Sequence, residues 1–375
     1  MTGPPLIGPM ASRRVAPRDD VALMEGYHSP QVDVPVRLNT NESPYPPPPA
    51  FGPRLAAAVG QVAWHRYPDR AATELRRRIG ALHGVGPEQV FVANGSNEVL
   101  QTLLLTYAGA GRSVATFEPT YALHAHIARL SGATVIEGER DEDFALSLAE
   151  IDRVMAGGPG PAPHVVFLCS PNNPTGCEEP RPLVEAVLER VRAAGALLVM
   201  DEAYGQFASW SAQELMGPDQ PLVVTRTFSK TWSMAAARLG YLIGPRWVID
   251  ELEKVVLPYH LDALKQAAGI IALDFAGDME ARVAAIVTER ARVLMALQGL
   301  GVRVWPSGAN FVLLRAEVPG GGGALWNALL QRGVLVRNCS SWPRLEGCLR
   351  LTIGTPAEDD AFLKAMQSAL IELAG

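Results

Sequence analysis

Apolar residues along this chain alternate between continuous runs, typical of buried strands, and repeats at helical spacing. The first clear helix starts at Thr73, where Leu75, Ile79 and Leu82 fall on one face. Further helices are predicted at 98–107, 122–131 and 183–194, between apolar strands at 89–93, 113–117, 134–136, 165–169, 196–200 and 222–226. Buried strands that alternate with helices predict an α/β fold in which helices flank a mostly parallel central sheet.

The pattern changes in the last third of the chain. A long helical region begins at Pro245 and is broken at Pro258, and it is followed by a predicted helix at 281–300 and strands at 302–305, 309–315 and 349–353. Six prolines between residues 44 and 53 predict an extended connector without a helix. We therefore expect a flexible extension at 1–20, an N-terminal segment at 21–63 that packs on the small domain, a large domain at 64–280 and a small α+β domain at 281–375.

Composition and charge narrow the class of protein. The 375 residues carry a net charge of −6, which argues against a nucleic-acid partner, and no apolar run reaches the roughly 18 residues of a membrane span. The four cysteines lack paired C-x-x-C spacing and suit a reducing cytoplasm, and residues 1–20 lack the apolar core of a signal peptide. No metal is expected, because packing or solvent exposure explains His124-x-His126, the closest candidate pair, better than metal binding does.

One lysine has an unusual set of neighbours. Lys230 lies in the segment Thr-Phe-Ser-Lys-Thr-Trp-Ser-Met at 227–234, and Arg238 follows eight residues later. Asp201 comes directly after the apolar run at 196–200, and Ser-Pro-Asn-Asn-Pro-Thr-Gly at 170–176 follows the strand before it. Each feature alone has an ordinary explanation, as a surface lysine, a helix cap or a turn. Their combination, in this order, matches what pyridoxal 5′-phosphate (PLP) requires.

The chemistry of PLP accounts for these residue types. The cofactor is held as a Schiff base by a lysine whose amine must be partly desolvated. A carboxylate must face the ring nitrogen, and Asp201 emerges at the carboxyl end of a strand, where ligands bind in open α/β sheets. The phosphate needs hydroxyls and a cation, which Thr227, Ser229 and Arg238 supply. The strand, turn and helix around residues 94–97 offer a second set of anion-binding backbone groups.

Beyond these motifs, the chain from about residue 38 to the C-terminus resembles the fold-type I, PLP-dependent aminotransferases. Among them it is most similar to the histidinol-phosphate aminotransferases. The resemblance implies an aspartate-aminotransferase-like architecture, with a large PLP-binding domain and a smaller α+β domain. The matching segments are residues 38–45, 66–69, 94–98, 118–121, 170–176, 201–204, 227–234, 257–259, 308–312 and 347–355.

The resemblance also implies roles for individual residues around the cofactor ring. Lys230 is expected to form the Schiff base and then to move the proton during transfer. Asp201 is expected to hold the ring nitrogen, Asn173 and Tyr204 the phenolate oxygen, and Tyr121 to stack on the ring. The phosphate is expected to be bound by Gly95, Ser96, Asn97, Thr227, Ser229 and Arg238.

Substrate contacts and assembly follow from the same resemblance. Arg350 is expected to bind the substrate α-carboxylate or the group in its place, and Arg337 the distal phosphate. Tyr27 and Asn41 are expected to add contacts from the N-terminal segment. By analogy, Tyr67 reaches the phosphate of the neighbouring subunit's cofactor. The protein is therefore expected to be a homodimer with shared active sites, and the N-terminal segment is expected to contribute to the dimer interface.

Several positions depart from the common family pattern, mainly on the substrate side. Asn97 stands where Asp is frequent, and Gly205-Gln206 follow Tyr204 where an apolar residue and an acid are frequent. The residue after Arg337 is commonly Asp in the family, but here Arg337 is followed by residues 338–342, which end in Trp342. The leading hypothesis is a transaminase of histidine biosynthesis. Glutamate and imidazole-acetol phosphate exchange their amino and keto groups and form 2-oxoglutarate and histidinol phosphate. The alternatives are an aromatic or other amino-acid aminotransferase, a decarboxylase of amino-acid phosphates on the same fold, and a non-catalytic regulatory protein.

Overall fold

The computed structural model describes residues 15–22, 24, 26, 32–157 and 160–374. It divides the chain into two compact units, Met1–Asp33 and Val34–Gly375. The described part of the first unit contains a short helix, α1 (Asp19–Ala22). All further elements belong to the second unit.

The elements of the second unit follow the alternation of helices and strands that the hydrophobic pattern predicts. The first are β1 (Val36–Leu38), α2 (Phe51–Gly60), α3 (Thr73–His83), β2 (Val90–Ala93), α4 (Gly95–Tyr107), β3 (Ser113–Glu118), α5 (Leu123–Leu130), β4 (Thr134–Glu139) and α6 (Leu148–Met155). The middle part holds β5 (Val165–Cys169), α7 (Arg181–Ala193), β6 (Leu197–Asp201), β7 (Leu222–Thr227), β8 (Gly240–Ile243), α8 (Arg246–Val255) and α9 (Ala263–Leu273). The last are α10 (Ala276–Gly299), β9 (Arg303–Val304), β10 (Phe311–Arg315), α11 (Gly321–Gln331), β11 (Val334–Asn338), β12 (Cys348–Thr352) and α12 (Pro356–Ala374).

The larger sheet has seven strands in the order β2-β8-β7-β6-β5-β3-β4. The pairs from β7 through β4 are parallel, and β8 runs antiparallel to both of its neighbours. Strands β5, β6 and β7 are buried along their whole length, as expected for strands with helices on both faces. The predicted fold class, a mostly parallel sheet flanked by helices, is confirmed.

The smaller sheet has five strands in the order β1-β11-β12-β10-β9. Strand β1 joins it in parallel to β11, and the remaining pairs are antiparallel. Its core includes Leu38 from β1, Phe311 from β10, Val293 from α10 and Phe362 from α12. The sheet and the two helices therefore form the expected smaller α+β part of the structure.

The structure corrects one prediction about local structure. The segment 44–53 is not free of helix, because α2 begins at Phe51 and includes Pro53. The third residue of a helix has no N–H partner within the helix, so a proline there removes no hydrogen bond. The predicted domain limit at 280/281 falls inside α10, and the four-part division of the chain stays a prediction.

The topology brings the predicted chemistry to one edge of the large sheet. Asp201, at the end of β6, is paired with Cys169 of β5 and Thr225 of β7. Gly240 of β8 pairs with Thr227 on one side and Ala93 on the other. The ends of β2, β5, β6 and β7 therefore meet at this edge, where ligands bind in open α/β sheets.

Two kinds of feature are absent from the described part of the chain. None of its helices combines the length and the apolar character that crossing a membrane requires. Its histidine, cysteine and acidic side chains form no group of three or more that is arranged to hold a metal ion.

A buried ion pair links the end of the large sheet to the start of α7. Arg140 Nη2 lies 2.6 Å from Glu179 Oε1, and both side chains are almost fully buried. Arg140 also donates hydrogen bonds to the carbonyl oxygens of Phe117 and Phe144. Removal of the arginine therefore leaves a buried carboxylate without its counter-charge.

We predict that Arg140→Met lowers the free energy of unfolding by about 3–5 kcal/mol, measured by urea denaturation. The matched control is Arg129→Met, which breaks the Arg129–Glu137 pair, whose two side chains are each 49% exposed. That variant should lose less than about 1 kcal/mol. Equal losses in the two variants would contradict the prediction.

Candidate active site

Lys230 lies in the loop after β7, and its amine points toward the N-terminal part of the second unit. Its Nζ donates a hydrogen bond to the carbonyl oxygen of Thr40, 3.1 Å away. Burial, with the positive charges of Arg350 and Arg238, lowers the pKa of Lys230 to about 7, and Glu42 opposes this shift. A large fraction of the amine is therefore neutral near pH 7 and available as a nucleophile or base.

Asp201 is held by three donors at the carboxyl end of β6. Its Oδ2 lies 2.9 Å from Nε2 of His124, and its Oδ1 accepts from the backbone N–H of Ala203 and the hydroxyl of Thr225. His124 is fully buried and its ring stacks on Phe167 at 4.4 Å. Sequence reasoning assigned His124 only packing or an improbable metal role, but the structure places it as the residue that orients the Asp201 carboxylate.

The hydroxyls and the arginine predicted to bind phosphate converge beside the start of α4. Thr227 Oγ1 donates to Ser229 Oγ at 3.0 Å, and Arg238 Nη1 donates to the same Ser229 oxygen at 3.2 Å. Gly95, at φ +79°, begins the helix, and a Cβ added to it would lie 2.9 Å from Arg238 Nη2. These groups and the first N–H groups of α4 form a cradle of the kind that binds a phosphate.

Tyr121 connects this cradle to Asp201. Its hydroxyl donates to Oδ1 of Asn97 at 3.2 Å, and its ring meets His124 edge to face at 5.4 Å. The structure therefore brings the predicted ring-stacking residue, the predicted phosphate loop and the predicted partner of the ring nitrogen together.

Residues 39–41 contact the site through Arg350, Lys230 and Tyr204. Asn39 accepts from Nη2 of Arg350 through its carbonyl oxygen at 3.1 Å, and Asn41 Nδ2 donates to Tyr204 Oη at 2.9 Å. Arg350 Nη1 also donates to Asn173 Oδ1 at 2.5 Å. Burial raises the pKa of Tyr204 to about 12, so its hydroxyl remains a hydrogen-bond donor at neutral pH. Sequence reasoning included Asn41 but missed the carbonyl oxygens of residues 39 and 40.

A second network, also missed from sequence, fixes the turn at 170–176. Asn172 Nδ2 donates to the carbonyl oxygen of Pro119 and to Thr175 Oγ1, and Thr120 Oγ1 donates to Asn172 Oδ1. All these contacts are buried. They hold the backbone of the turn in place next to Asn173.

Arg337 lies directly opposite Arg350 in the pairing of β11 with β12. The ring of Trp342 lies beside both arginines, with its centroid 5.3 Å from the Arg337 guanidinium carbon and 6.0 Å from that of Arg350. The two arginines predicted for substrate anions are therefore neighbours, next to an aromatic side chain.

Two predicted residues are not part of this cluster. Tyr67 is 78% exposed and stacks on Tyr259 at 4.4 Å, so it lies at the surface of the chain. Tyr27 lies outside the described residues.

Comparison with known proteins identifies the family of the chain. The sequence model of the family described as aminotransferase class I and II matches residues 33–366. The chain belongs to this family. A histidinol-phosphate aminotransferase of Frankia casuarinae is 43% identical over 365 residues, with 94% of this chain and 90% of the relative covered. The enzyme of the same name from Mycolicibacterium smegmatis is 43% identical, with 93% and 92% covered.

Solved structures of aminotransferases share the fold. A histidinol-phosphate aminotransferase from Sinorhizobium meliloti, solved in complex with pyridoxal-5′-phosphate, superposes with a TM-score of 0.85 over 97% of this chain and 100% of that one, at 22% identity. A putative aminotransferase from Burkholderia pseudomallei gives a TM-score of 0.78 at 26% identity, with 90% and 99% covered. The architecture of the family is thus present along nearly the whole chain.

The depressed pKa of Lys230 gives a prediction for the cofactor-free protein. Acetylation of Lys230 by acetic anhydride, followed by mass spectrometry of the peptide, should reach its half-maximal rate near pH 7, because only the neutral amine reacts. Arg350→Met should move this midpoint to higher pH, since it removes a positive charge that lowers the pKa.

The control is Arg344→Met, which removes an exposed arginine paired with Glu139 and should leave the midpoint in place. A midpoint for Lys230 near pH 10, the ordinary range of a lysine amine, would contradict the assignment of a neutral amine.

Proposed function

We propose that this protein is a PLP-dependent aminotransferase that interconverts histidinol phosphate and 2-oxoglutarate with imidazole-acetol phosphate and glutamate, a step of histidine biosynthesis. Membership of the aminotransferase family and 43% identity to enzymes of that name support the reaction. The observation that carries the substrate proposal is the pairing of Arg337 opposite Arg350, which suits a substrate with a strong anionic group near its amine.

The site fits PLP because each part of the cofactor meets a suitable group. The cradle beside α4 suits its phosphate, and a lysine with a pKa of about 7 suits covalent attachment. When bound, PLP withdraws electrons from the substrate carbon that carries the amino group. The residues that would hold it are Lys230, Asp201, Asn173, Tyr204, Tyr121, Thr227, Ser229, Arg238, Gly95, Ser96 and Asn97.

Lys230 would also move the proton. Its neutral Nζ accepts the proton from the substrate carbon and returns one in the second half of the reaction, as a general base and then an acid. A pKa of about 7 lets the same nitrogen perform both tasks at neutral pH. The carbonyl oxygen of Thr40, 3.1 Å from Nζ, orients the amine.

The substrate would be held through its anionic groups. Arg350 binds the carboxylate next to the amino group of glutamate, and its bonds to Asn173 and Asn39 fix the guanidinium plane. Arg337 binds the phosphate of histidinol phosphate, and Asn41 contributes a contact from the segment at 39–41. The substrate contact of Tyr27 stays a prediction.

We further propose that the active form is a homodimer. The side chains of Trp64, Tyr67 and Leu257 are 69%, 78% and 75% exposed, and Tyr67 stacks on Tyr259, which belongs to the same segment as Leu257. Exposed aromatic and apolar groups of this kind favour contact with another protein surface. In the dimer Tyr67 would reach the cofactor phosphate of the other subunit.

We also propose a cytoplasmic location. All four cysteines, Cys169, Cys177, Cys339 and Cys348, are free thiols. Unpaired thiols are typical of proteins in a reducing compartment.

The half-reaction tests the substrate proposal. Histidinol phosphate and glutamate should each shift the absorbance of the PLP-loaded enzyme from the lysine-bound to the amine form, and phenylalanine should have little effect. Arg337→Met should weaken the response to histidinol phosphate roughly 10- to 100-fold, because a charge-assisted hydrogen bond is lost, with a much smaller effect on glutamate. Lys230→Ala should abolish both responses.

Other outcomes would overturn the proposal in different ways. Conversion by phenylalanine but not histidinol phosphate would indicate an aromatic aminotransferase. Release of CO₂ from phosphothreonine would indicate a decarboxylase, and failure to bind PLP at all would indicate a protein without this chemistry.

Hybrid dimers test the shared site. Lys230→Ala and Tyr67→Ala proteins, each nearly inactive alone, should recover about a quarter of wild-type activity when mixed equally and allowed to exchange subunits, because half of the dimers are hybrids with one intact site. Activity that is no greater than the sum of the two separate proteins would contradict a site shared through Tyr67.

A further inference from the structure

Two like charges lie side by side in the smaller sheet. Arg337 of β11 and Arg350 of β12 are directly paired in the antiparallel register, so their side chains emerge on the same face of the sheet. Like charges directly opposite each other in a sheet are destabilising. The arrangement therefore needs a group that holds the guanidinium groups in place.

Trp342 provides such a group. Its ring centroid lies 5.3 Å from the guanidinium carbon of Arg337 and 6.0 Å from that of Arg350, within the range of a cation–π contact. An aromatic ring attracts the charge of a guanidinium group, and where it lies against the flat face it leaves the in-plane N–H donors for an anion.

The position of Trp342 is fixed by its own loop. The backbone N–H of Trp342 donates to the carbonyl oxygen of Cys339 at 2.9 Å, and that of Leu345 donates to the carbonyl oxygen of Trp342 at 3.1 Å. The indole packs against the buried cluster that contains Cys339 and Leu345. The loop and the buried cluster therefore hold the ring beside the two arginines.

One N–H group of Arg350, beside Trp342, has no hydrogen-bond partner. Its side chain is buried, its two terminal nitrogens donate to Asn173 and Asn39, and its Nε has no hydrogen-bond partner. A buried N–H without a partner costs free energy, and a ligand oxygen placed there would remove that cost. This donor is therefore open to an acceptor oxygen of a bound anion.

We propose that Trp342 is a specificity-determining residue that aligns Arg337 and Arg350 as one clamp for a phosphate monoester. A phosphate dianion matches the two positive charges and presents three acceptor oxygens, whereas a carboxylate carries one charge and is served by Arg350 alone. This inference rests on the proposed function and extends it, because it identifies what selects phosphorylated amines over ordinary amino acids.

The experiment uses the PLP-loaded enzyme and three variants. Trp342→Leu removes the ring, Trp342→Phe retains an aromatic face, and Trp305→Leu is the matched control. Trp305 belongs to the same buried cluster and lies beside two other arginines, 4.6 Å from the guanidinium carbon of Arg303 and 6.0 Å from that of Arg315. The measurements are kcat and KM for histidinol phosphate and glutamate, and the inhibition constant of inorganic phosphate against glutamate.

Trp342→Leu should raise the KM for histidinol phosphate and the inhibition constant of inorganic phosphate about tenfold, the size expected for a lost cation–π contact of a partly desolvated arginine. The KM for glutamate should rise much less than that for histidinol phosphate, because Arg350 keeps its bonds to Asn173 and Asn39 without the ring. Trp342→Phe should restore most of the phosphate affinity. Trp305→Leu should lower thermal stability without changing the ratio of the two substrates.

Equal effects of Trp342→Leu on histidinol phosphate and glutamate, or an unchanged inhibition constant for phosphate, would overturn the inference. Failure of the wild-type enzyme to convert histidinol phosphate would instead overturn the proposed substrate. In that case the inhibition by inorganic phosphate still decides whether Trp342 maintains an anion clamp.

Discussion

Strand β8 approaches the start of α4 so closely that a Cβ on Gly240 would lie 2.2 Å from the backbone nitrogen of Ser96. Only a glycine allows this contact, and the contact brings the phosphate loop against the strand that pairs with β7. Because β7 leads directly to Thr227, Ser229 and Lys230, sheet pairing brings the cradle close to the loop that carries the lysine. Much of the rest of the site depends on this approach.

The charges in the site are coupled through the same few side chains. Arg350 and Arg238 lower the pKa of Lys230, and both are also placed to bind anions. An anion that neutralises Arg350 weakens its effect on the lysine, so substrate binding raises the basicity of Nζ when a proton has to be removed. Without a bound anion the pKa of the amine is about 7, and an anion on Arg350 makes the amine a stronger base.

The sequence predicted the parts of the site that are local in the chain. The apolar strands at 165–169, 196–200 and 222–226 placed Asp201 at the end of one strand and Lys230 shortly after another. In the structure Asp201 ends β6 and Lys230 follows β7. The contacts of residues 39–41 were not predictable. Asn41 and its partner Thr352 are 311 residues apart, and the bonds to Lys230 and Arg350 use the backbone oxygens of residues 40 and 39. Helix α11 was missed because it begins with three glycines, which have low helix propensity, and it forms because Leu325 and Leu329 are buried.

The unfavourable pairing of Arg337 with Arg350 also explains how the site selects its substrate. Two arginines paired in a sheet, one of them with a buried N–H that has no partner, are a local conflict that a stable fold ordinarily avoids. An anion resolves the conflict, since it supplies the missing acceptor and reduces the repulsion between the guanidinium groups. The free energy released on binding is therefore greater for a dianion than for a monoanion, and this difference favours the phosphorylated substrate. Trp342 makes the conflict tolerable, because its ring lies beside both cations and stabilises their charge.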